Sequence, residues 1–254
     1  MILNMAKTHE IGGIENGIYY FVVQDYPHIS ASELKNAVVF IRYEKLYGRE
    51  TDIICIDKQA LRLIIDAAAN LDITEMPAEK FVYHATDVTA AKKILSGGKL
   101  LSAVKVYGKT GDELAYNKRN SPWKDPADFF EYIMFCGGDQ TTGDWVVLSE
   151  NIPSEDDLEK GKFNAGVRFY FRYEDLKRHP KHIHDGYHPI KVKDEIVLSD
   201  YLHSCIVPDQ YKSELEYLIL PEIAQKVHYL SQNGLGIMDW SERVYNFVEE
   251  LEIR

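Results

Sequence analysis

The chain has 254 residues, of which 45% are hydrophobic and 27% are charged, the proportions of an ordinary globular protein. This composition excludes a disordered or fibrous chain, and no apolar run approaches the length needed to cross a bilayer. The net charge of −11 argues against a surface that is basic everywhere and coated with nucleic acid.

The N-terminal segment lacks the basic start and the long apolar stretch of a signal peptide, which predicts a cytoplasmic protein with no membrane partner. The three cysteines, Cys55, Cys136 and Cys205, are odd in number and widely separated. Their spacing indicates neither a disulfide framework nor a thiolate metal site.

The first 77 residues are predicted to form a small α/β region. Residues 17–23 and 52–56 are rich in β-branched and aromatic residues and predict strands, while residues 58–70 place apolar residues on one helix face. Residues 32–43 could begin as a helix and finish as a strand, and periodicity does not decide between the two. Pro77 predicts a boundary, because proline disfavours helix in the residue before it.

The stretch 81–86, Phe-Val-Tyr-His-Ala-Thr, predicts a short apolar strand that leads into a helix. Apolar residues at three-to-four spacing over 88–95 predict the helix, and the Thr-Asp pair at 86–87 can cap it. Gly97 is predicted to end the helix in the left-handed conformation. His84 then lies at the strand end, a favourable place for contacting a ligand.

Three segments follow before the next long strand. Residues 104–124 are polar, and their glycines and proline predict a loop. Residues 125–135 are rich in aromatic residues, among them Tyr132. Residues 145–150 predict a short buried strand that ends in Ser149 and a carboxylate.

Residues 165–171 predict a strand that contains Arg168. An arginine in an apolar strand needs a buried acceptor or a ligand phosphate, because its charge cannot be removed at accessible pH. The surrounding segment, 162–193, has eight Lys or Arg against three Asp or Glu, a local +5, with several aromatic residues. Such a face suits a nucleic-acid acceptor, and a solvated loop is the alternative that stays open.

Four histidines occur within residues 179–188, and with Asp185 their imidazoles could converge on zinc. Their spacing matches no helix face, and the segment contains a proline and a glycine. Histidines clustered in such a loop are usually solvated. We therefore predict no metal site.

Glu195 opens a β-branched strand, which a turn and a second strand ending at Pro208 follow. The acidic residues here could be functional or could protect an edge strand. Residues 209–254 are predicted to be helical, with nine acidic residues against four basic ones, a net −5. We expect this tail to pack against the core or to dock a partner.

The motifs of this chain resemble, in order and spacing, those of the ADP-ribosyltransferase superfamily. The Tyr-His-Ala-Thr stretch at 83–86 resembles the strand that opens the catalytic core, in the version found in DarT-type bacterial toxins that ADP-ribosylate nucleic acid. The resemblance covers roughly residues 80–208. It implies an α+β fold with an ADP-ribosyltransferase-like split antiparallel sheet core at 78–208, an N-terminal accessory α/β region at 1–77 and a C-terminal helical extension at 209–254.

The same resemblance implies which residues act. Glu195 would stabilise the positive charge that grows on the ribose, with Asp194 as the fallback. The second predicted catalytic residue, Arg168, follows instead from its charge in an apolar strand. His84 would bind the adenosine ribose, and the Ala85 backbone would hold the nicotinamide carboxamide. The remaining predicted NAD-binding residues are Thr86, Tyr132 near the nicotinamide and Ser149 at the nicotinamide ribose.

The implied activity is transfer of ADP-ribose from NAD, a substrate, to a macromolecule. Arginine-modifying members carry an acidic residue two positions before the catalytic glutamate, where this chain has Lys193. Nucleic acid is therefore favoured over protein as the acceptor. A toxin of bacterial or phage-defence type is implied, with an antitoxin or hydrolase partner. The alternatives are a metal-dependent hydrolase or nuclease that uses the 179–188 histidines, and a non-catalytic binding module.

Overall fold

The computed structural model describes residues 2–5, 13–15, 18–21, 28–46, 48, 50–55, 57–70, 80–115, 127–149, 152–184 and 188–253. The fold mixes helices and strands, as predicted for an α+β protein. The chain divides into two compact units. Unit 1 comprises Met1–Ala78, Ser102–Tyr132 and Ile183–Asp194, and unit 2 comprises Glu79–Leu101, Ile133–His182 and Glu195–Arg254.

The N-terminal part of unit 1 is a four-stranded sheet with two helices. The elements are β1 (Ile2–Met5), β2 (Gly13–Glu15), β3 (Ile18–Tyr20), α1 (Ala31–Leu46), β4 (Asp52–Cys55) and α2 (Lys58–Asn70). The strands lie in the order β2-β3-β1-β4, with β1 parallel to both β3 and β4. The predicted helix at 58–70 is confirmed, as are the strands around 17–23 and 52–56 in their described parts.

Helix α1 includes residues 32–43, for which periodicity did not decide between helix and strand. Ser30 and Glu33 form a capping box, in which the Glu33 carboxylate accepts from the Ser30 N–H at 2.8 Å and the Ser30 hydroxyl accepts from the Glu33 N–H at 3.2 Å. Ala37 and Phe40 are fully buried in the core of unit 1. The segment is therefore helical throughout.

The next elements confirm the predicted strand and helix around His84. They are β5 (Phe81–Thr86), α3 (Val88–Gly97) and β6 (Lys99–Leu101). The Asp87 carboxylate caps α3 by accepting from the Ala90 N–H at 2.8 Å. The predicted stop at Gly97 is wrong by one residue: Gly98 has φ +66° and donates its N–H to the Ile94 carbonyl.

The middle of the chain contains short helices where loop and strand were predicted. Residues 103–107 and 111–115 are helical rather than loop, and residues 116–126 lie outside the described part. The strand predicted at 145–150 is wrong, because this run lies mostly within a helix that turns Asp144 and Leu148 inward. The elements are α4 (Ala103–Tyr107), α5 (Gly111–Ala115), a 3-10 helix (Ala127–Glu131), β7 (Tyr132–Met134), β8 (Cys136–Gly137), α6 (Thr142–Leu148) and α7 (Glu155–Glu159).

The remaining elements include both strands predicted around Glu195. They are β9 (Val167–Arg172), α8 (Tyr173–Leu176), β10 (His182–Ile183), β11 (Lys191–Lys193), β12 (Glu195–Val197), α9 (Leu198–Tyr201), β13 (Leu202–Pro208), 3-10 helices at Asp209–Tyr211, Glu216–Leu218 and Pro221–Lys226, α10 (Lys212–Leu215), β14 (Val227–Leu230) and α11 (Ile237–Ile253). None of the helices that the structure describes is long and apolar enough to traverse a bilayer.

Unit 2 contains a five-stranded sheet in the order β14-β13-β9-β5-β8 and a two-stranded sheet of β12 and β6. Strand β9 runs antiparallel to both β5 and β13, whereas β14 runs parallel to β13. The all-helical prediction for the tail is thus wrong at Val227–Leu230, which extends the sheet. Helix α11 buries Trp240, Val244 and Val248 in the same core as Phe81, so the tail packs against the core as expected.

Candidate active site

His84 lies on β5, two residues before the strand ends. Its Nδ1 lies 3.1 Å from the Met134 carbonyl oxygen, which can only accept a hydrogen bond. Nδ1 therefore carries the proton, and Nε2 keeps its lone pair and can accept. Burial lowers the pKa of His84, and the bond to Met134 offsets this only in part. The imidazole is thus a neutral acceptor with a fixed tautomer.

Ala85 and Thr86 continue β5 beside the first residues of β9. Ala85 pairs with Arg168 and Thr86 with Val167 in the antiparallel ladder. Both side chains are partly buried. Three predicted NAD-binding residues and Arg168 thus share one end of two neighbouring strands.

Glu195 is the first residue of β12, where it pairs with Leu101 of β6. Its carboxylate is 46% exposed, and both of its oxygens accept from the Lys99 ammonium, at 3.2 and 3.3 Å. The neighbouring cross-strand lysine thereby orients the carboxylate while leaving it open to solvent. Asp194, the residue before it, adopts the left-handed region with φ +69°, where an aspartate is tolerated better than most residues.

The contacts described for His84 and for Glu195 are with different residues of unit 2. The contacts described for His84 are with the Met134 carbonyl oxygen and the Phe135 ring. Those described for the Glu195 carboxylate are with Lys99, on the two-stranded sheet. The structure therefore groups the residues of β5 with Arg168 and gives Glu195 a separate strand in the same unit.

Arg168 is fully buried and forms an ion pair with Asp144, whose exposure is 1%. Its Nε donates to Asp144 Oδ1 at 3.1 Å, its Nη2 donates to Asp144 Oδ2, and its Nη1 donates to the Tyr170 hydroxyl at 3.0 Å. The salt bridge is thus the arrangement adopted, and the alternative of a ligand phosphate is not needed to explain the buried charge. The guanidinium positions neighbouring groups rather than facing solvent.

Two tyrosines complete this buried cluster, which we call the Arg168 cluster (Tyr83, Asp144, Arg168 and Tyr170). The Tyr83 hydroxyl donates to the Gln140 carbonyl at 2.7 Å, and its ring lies 4.7 Å from the guanidinium carbon. The Tyr170 hydroxyl donates to the Gly138 carbonyl at 3.2 Å, and burial raises the Tyr170 pKa to about 12. The cluster thereby ties the turn before α6 to β5 and β9.

Sequence reasoning missed Asp144 and both tyrosines. Asp144 follows a glycine in a polar stretch, and no spacing rule connects it with Arg168, 24 residues later. The one available signal was the unpaired arginine in an apolar strand, which requires an acceptor without identifying it.

Tyr132 and Ser149 lie outside β5 and β9. Tyr132 belongs to unit 1, where the buried Lys191 ammonium lies 4.7 Å from its ring centre and 3.9 Å from that of Phe129. Ser149 is exposed at the end of α6, and its hydroxyl donates to the Val146 carbonyl at 2.7 Å. The structural basis proposed for Ser149, a buried strand end, is therefore wrong.

The basic charges of segment 162–193 are largely neutralised or buried. Arg168 and Lys191 have no exposed surface. Five others lie in ion pairs: Lys162 with Asp157, Arg172 with Glu252, Lys177 with Glu174, Arg178 with Asp175 and Lys193 with Glu131. The segment thus offers much less unpaired positive charge than its composition indicates.

The histidines of 179–188 make separate contacts. In unit 2 the His179 ring packs on Tyr201, and His182 Nδ1 lies 2.6 Å from the His179 carbonyl. In unit 1, His184 packs on Tyr43 and His188 on Phe129. Within the described residues, which omit Asp185, no group of three or more His, Cys, Asp or Glu could hold a metal ion.

Comparison with known proteins assigns this chain to no family. Neither a protein-family model, nor a curated protein, nor a solved structure matches this chain. The functional proposal therefore depends on the residues, on their geometry and on the sequence resemblance.

Proposed function

We propose that the protein is an NAD-dependent mono-ADP-ribosyltransferase that modifies a macromolecule. The observation that carries the proposal is His84: a neutral imidazole with Nε2 free to accept, on a strand that leads into a capped helix. This is the arrangement that the Tyr-His-Ala-Thr motif implies for a residue that accepts a hydrogen bond from a ribose hydroxyl.

Glu195 supplies the second group that the reaction needs. Breaking the bond between ribose C1 and nicotinamide builds positive charge on the ribose while a neutral group leaves. A carboxylate near the ribose hydroxyls stabilises that charge more in the transition state than in the ground state. Glu195 is exposed to solvent, and Lys99 fixes its orientation. Both features favour a carboxylate that can contact a ligand.

Nucleic acid is the acceptor that we propose, with a protein side chain as the alternative. Lys193 argues less strongly against an arginine acceptor than the sequence indicates. Glu131 lies 2.7 Å from its ammonium and offsets the charge that would repel a guanidinium. The ion pairs of segment 162–193 weaken the case for that segment as the binding face. The proposal of a bacterial or phage-defence toxin with an antitoxin or hydrolase partner depends on the sequence resemblance.

Labelled NAD tests the proposal. The protein is incubated with NAD labelled in the adenylate part and with DNA, RNA or protein acceptors, and the product is digested with nuclease or with protease. We expect label that Glu195→Gln abolishes and that nuclease releases. Label that resists nuclease and is lost with protease would remove nucleic acid as the acceptor.

Glu214→Gln is the matched control for the Glu195 variant. Glu214 is likewise an exposed carboxylate of unit 2 in an ion pair with a lysine, 2.7 Å from Lys92. Loss of transfer in Glu195→Gln but not in Glu214→Gln would separate a catalytic effect from the general effect of removing a surface charge. Equal transfer by the wild type and both variants would contradict the role of Glu195.

A further inference from the structure

A cavity of about 440 Å³ opens at one end of the five-stranded sheet in unit 2. Its lining comes from the segment before β9 and from the residues that follow β13 and β14, which end side by side because Pro208 pairs with Leu230. The charged and amide side chains that line it are Lys162, Asn164, Asp209, Gln210, Gln232 and Asn233. The cavity is large enough for a small ligand of one or two rings.

Two turns that pack closely build one wall of the cavity. Gly161 and Gly234 both have positive φ, at +67° and +71°. A Cβ on Gly161 would lie 2.3 Å from the Gly234 carbonyl carbon, so only glycine permits the contact. The wall is therefore a fixed surface, and a ligand would meet groups that are already positioned.

Gln232 links these turns and is 8% exposed. Its amide nitrogen donates to the Gly161 carbonyl at 3.2 Å and lies 3.5 Å from the Leu235 carbonyl. No described residue donates to its Oε1. The Gln232 NH₂ group is therefore used within the protein. Its amide oxygen stays available to accept hydrogen bonds from ligand hydroxyls.

The charges of the cavity favour an uncharged ligand. Lys162 lies 3.7 Å from Asp157, and Asp209 adds a carboxylate to the lining, so the cavity presents no net positive charge to an anion. The amides of Asn164 and Gln210 supply donors and acceptors, and Asn233 adds its amide N–H groups, since its Oδ1 accepts from the Ser231 hydroxyl. An apolar ligand would leave these groups unpaired.

We propose that this cavity binds a short uncharged saccharide. A pyranose ring carries adjacent hydroxyl groups, each of which donates one hydrogen bond and accepts others. A carboxylate beside several amides matches such a ring, with Asp209 accepting from one hydroxyl pair and the amides pairing with the rest. The inference is independent of the proposed transferase activity, because no residue of the candidate active site lines the cavity.

The test is binding of maltose, cellobiose and N,N′-diacetylchitobiose to the full chain, measured by calorimetry and by saturation-transfer NMR. We expect at least one of these disaccharides to bind with a dissociation constant in the millimolar range or below. Asp209→Asn should weaken that binding by about tenfold, or about 1.4 kcal/mol, because a hydrogen bond to a charged acceptor is stronger than one to a neutral amide oxygen. Asn164→Ala should weaken it in the same direction.

Asp239→Asn is the matched control, since Asp239 is an exposed carboxylate of unit 2 that does not line the cavity. It should leave the affinity unchanged. Binding of none of the three disaccharides would overturn the proposal. So would binding that Asp209→Asn and Asn164→Ala leave intact, because the saccharide would then occupy another surface.

Discussion

Replacing Asp144 by alanine should strongly destabilise unit 2. The carboxylate is the sole described anion bonded to Arg168, and the two side chains are 1% and 0% exposed. Without it, Nε and Nη2 lose their acceptors while the charge stays buried. Removing one partner of a buried ion pair costs about 3–5 kcal/mol. Total stabilities of about 5–15 kcal/mol make this a large fraction.

Urea unfolding followed by tryptophan fluorescence measures the effect, because Trp240 is fully buried in the core of unit 2. The midpoint should fall sharply in Asp144→Ala. Asp139→Ala, which removes an exposed carboxylate from the same turn, should change stability by less than about 0.5 kcal/mol. The double variant Asp144→Leu with Arg168→Met should recover most of the loss, since an apolar pair needs no buried partner.

If Asp144→Ala lowers the free energy of unfolding by less than about 1 kcal/mol, this reasoning is refuted. Removing the partner of a buried arginine should cost more than that. Failure of the double variant to recover would show that packing around the cluster, and not charge, sets the cost.

Two further predictions concern pH and a glycine. Burial, and then Arg172, lower the pKa of His203 to about 4. As pH drops from about 6.5 to 4, the unfolded chain binds a proton at His203 before the folded chain does, so the free energy of unfolding should fall. The expected fall is about 1–2 kcal/mol, because solvent screens this partly exposed group. His203→Gln should flatten this part of the profile of urea midpoint against pH. An unchanged profile would remove His203 as the cause. Gly143→Ala should lower the melting temperature, because its Cβ would lie 2.7 Å from Tyr83 Cε2, whereas Gly97→Ala, with nothing within 4 Å, should not. Equal melting temperatures for the two variants would show that the Tyr83 ring yields.

Local signals in the sequence predicted the elements around the candidate site. The apolar run ending in His84, the cap at Asp87 and the strand beginning at Glu195 each depend on neighbours within a few residues. The strand predicted at 165–171 follows from the alternating apolar pattern and is observed at Val167–Arg172, and the need of Arg168 for a partner follows from its place in that apolar strand. Such features can be recognised without the tertiary structure.

The sequence predictions failed where contacts between residues far apart in the chain determine the local structure. The run Trp-Val-Val-Leu at 145–148 has the composition of a strand, yet it is helical, and Asp144 in that helix faces Arg168. Residues Val227–Leu230 follow a pattern that predicts a helix, yet they form a strand, because they pair with the edge of β13. Composition also overstated the basic face, since ion pairs such as Arg172 with Glu252 join residues 80 positions apart.

The most direct test of the central claim is release of nicotinamide from NAD by the purified protein without any acceptor. We predict measurable release by the wild type and by Glu214→Gln. Release by Glu195→Gln should be about 10²–10³-fold slower, the usual effect of removing a group that stabilises transition-state charge. Absence of nicotinamide release in the wild type, with and without nucleic acid, or an unchanged rate in Glu195→Gln, would contradict the account.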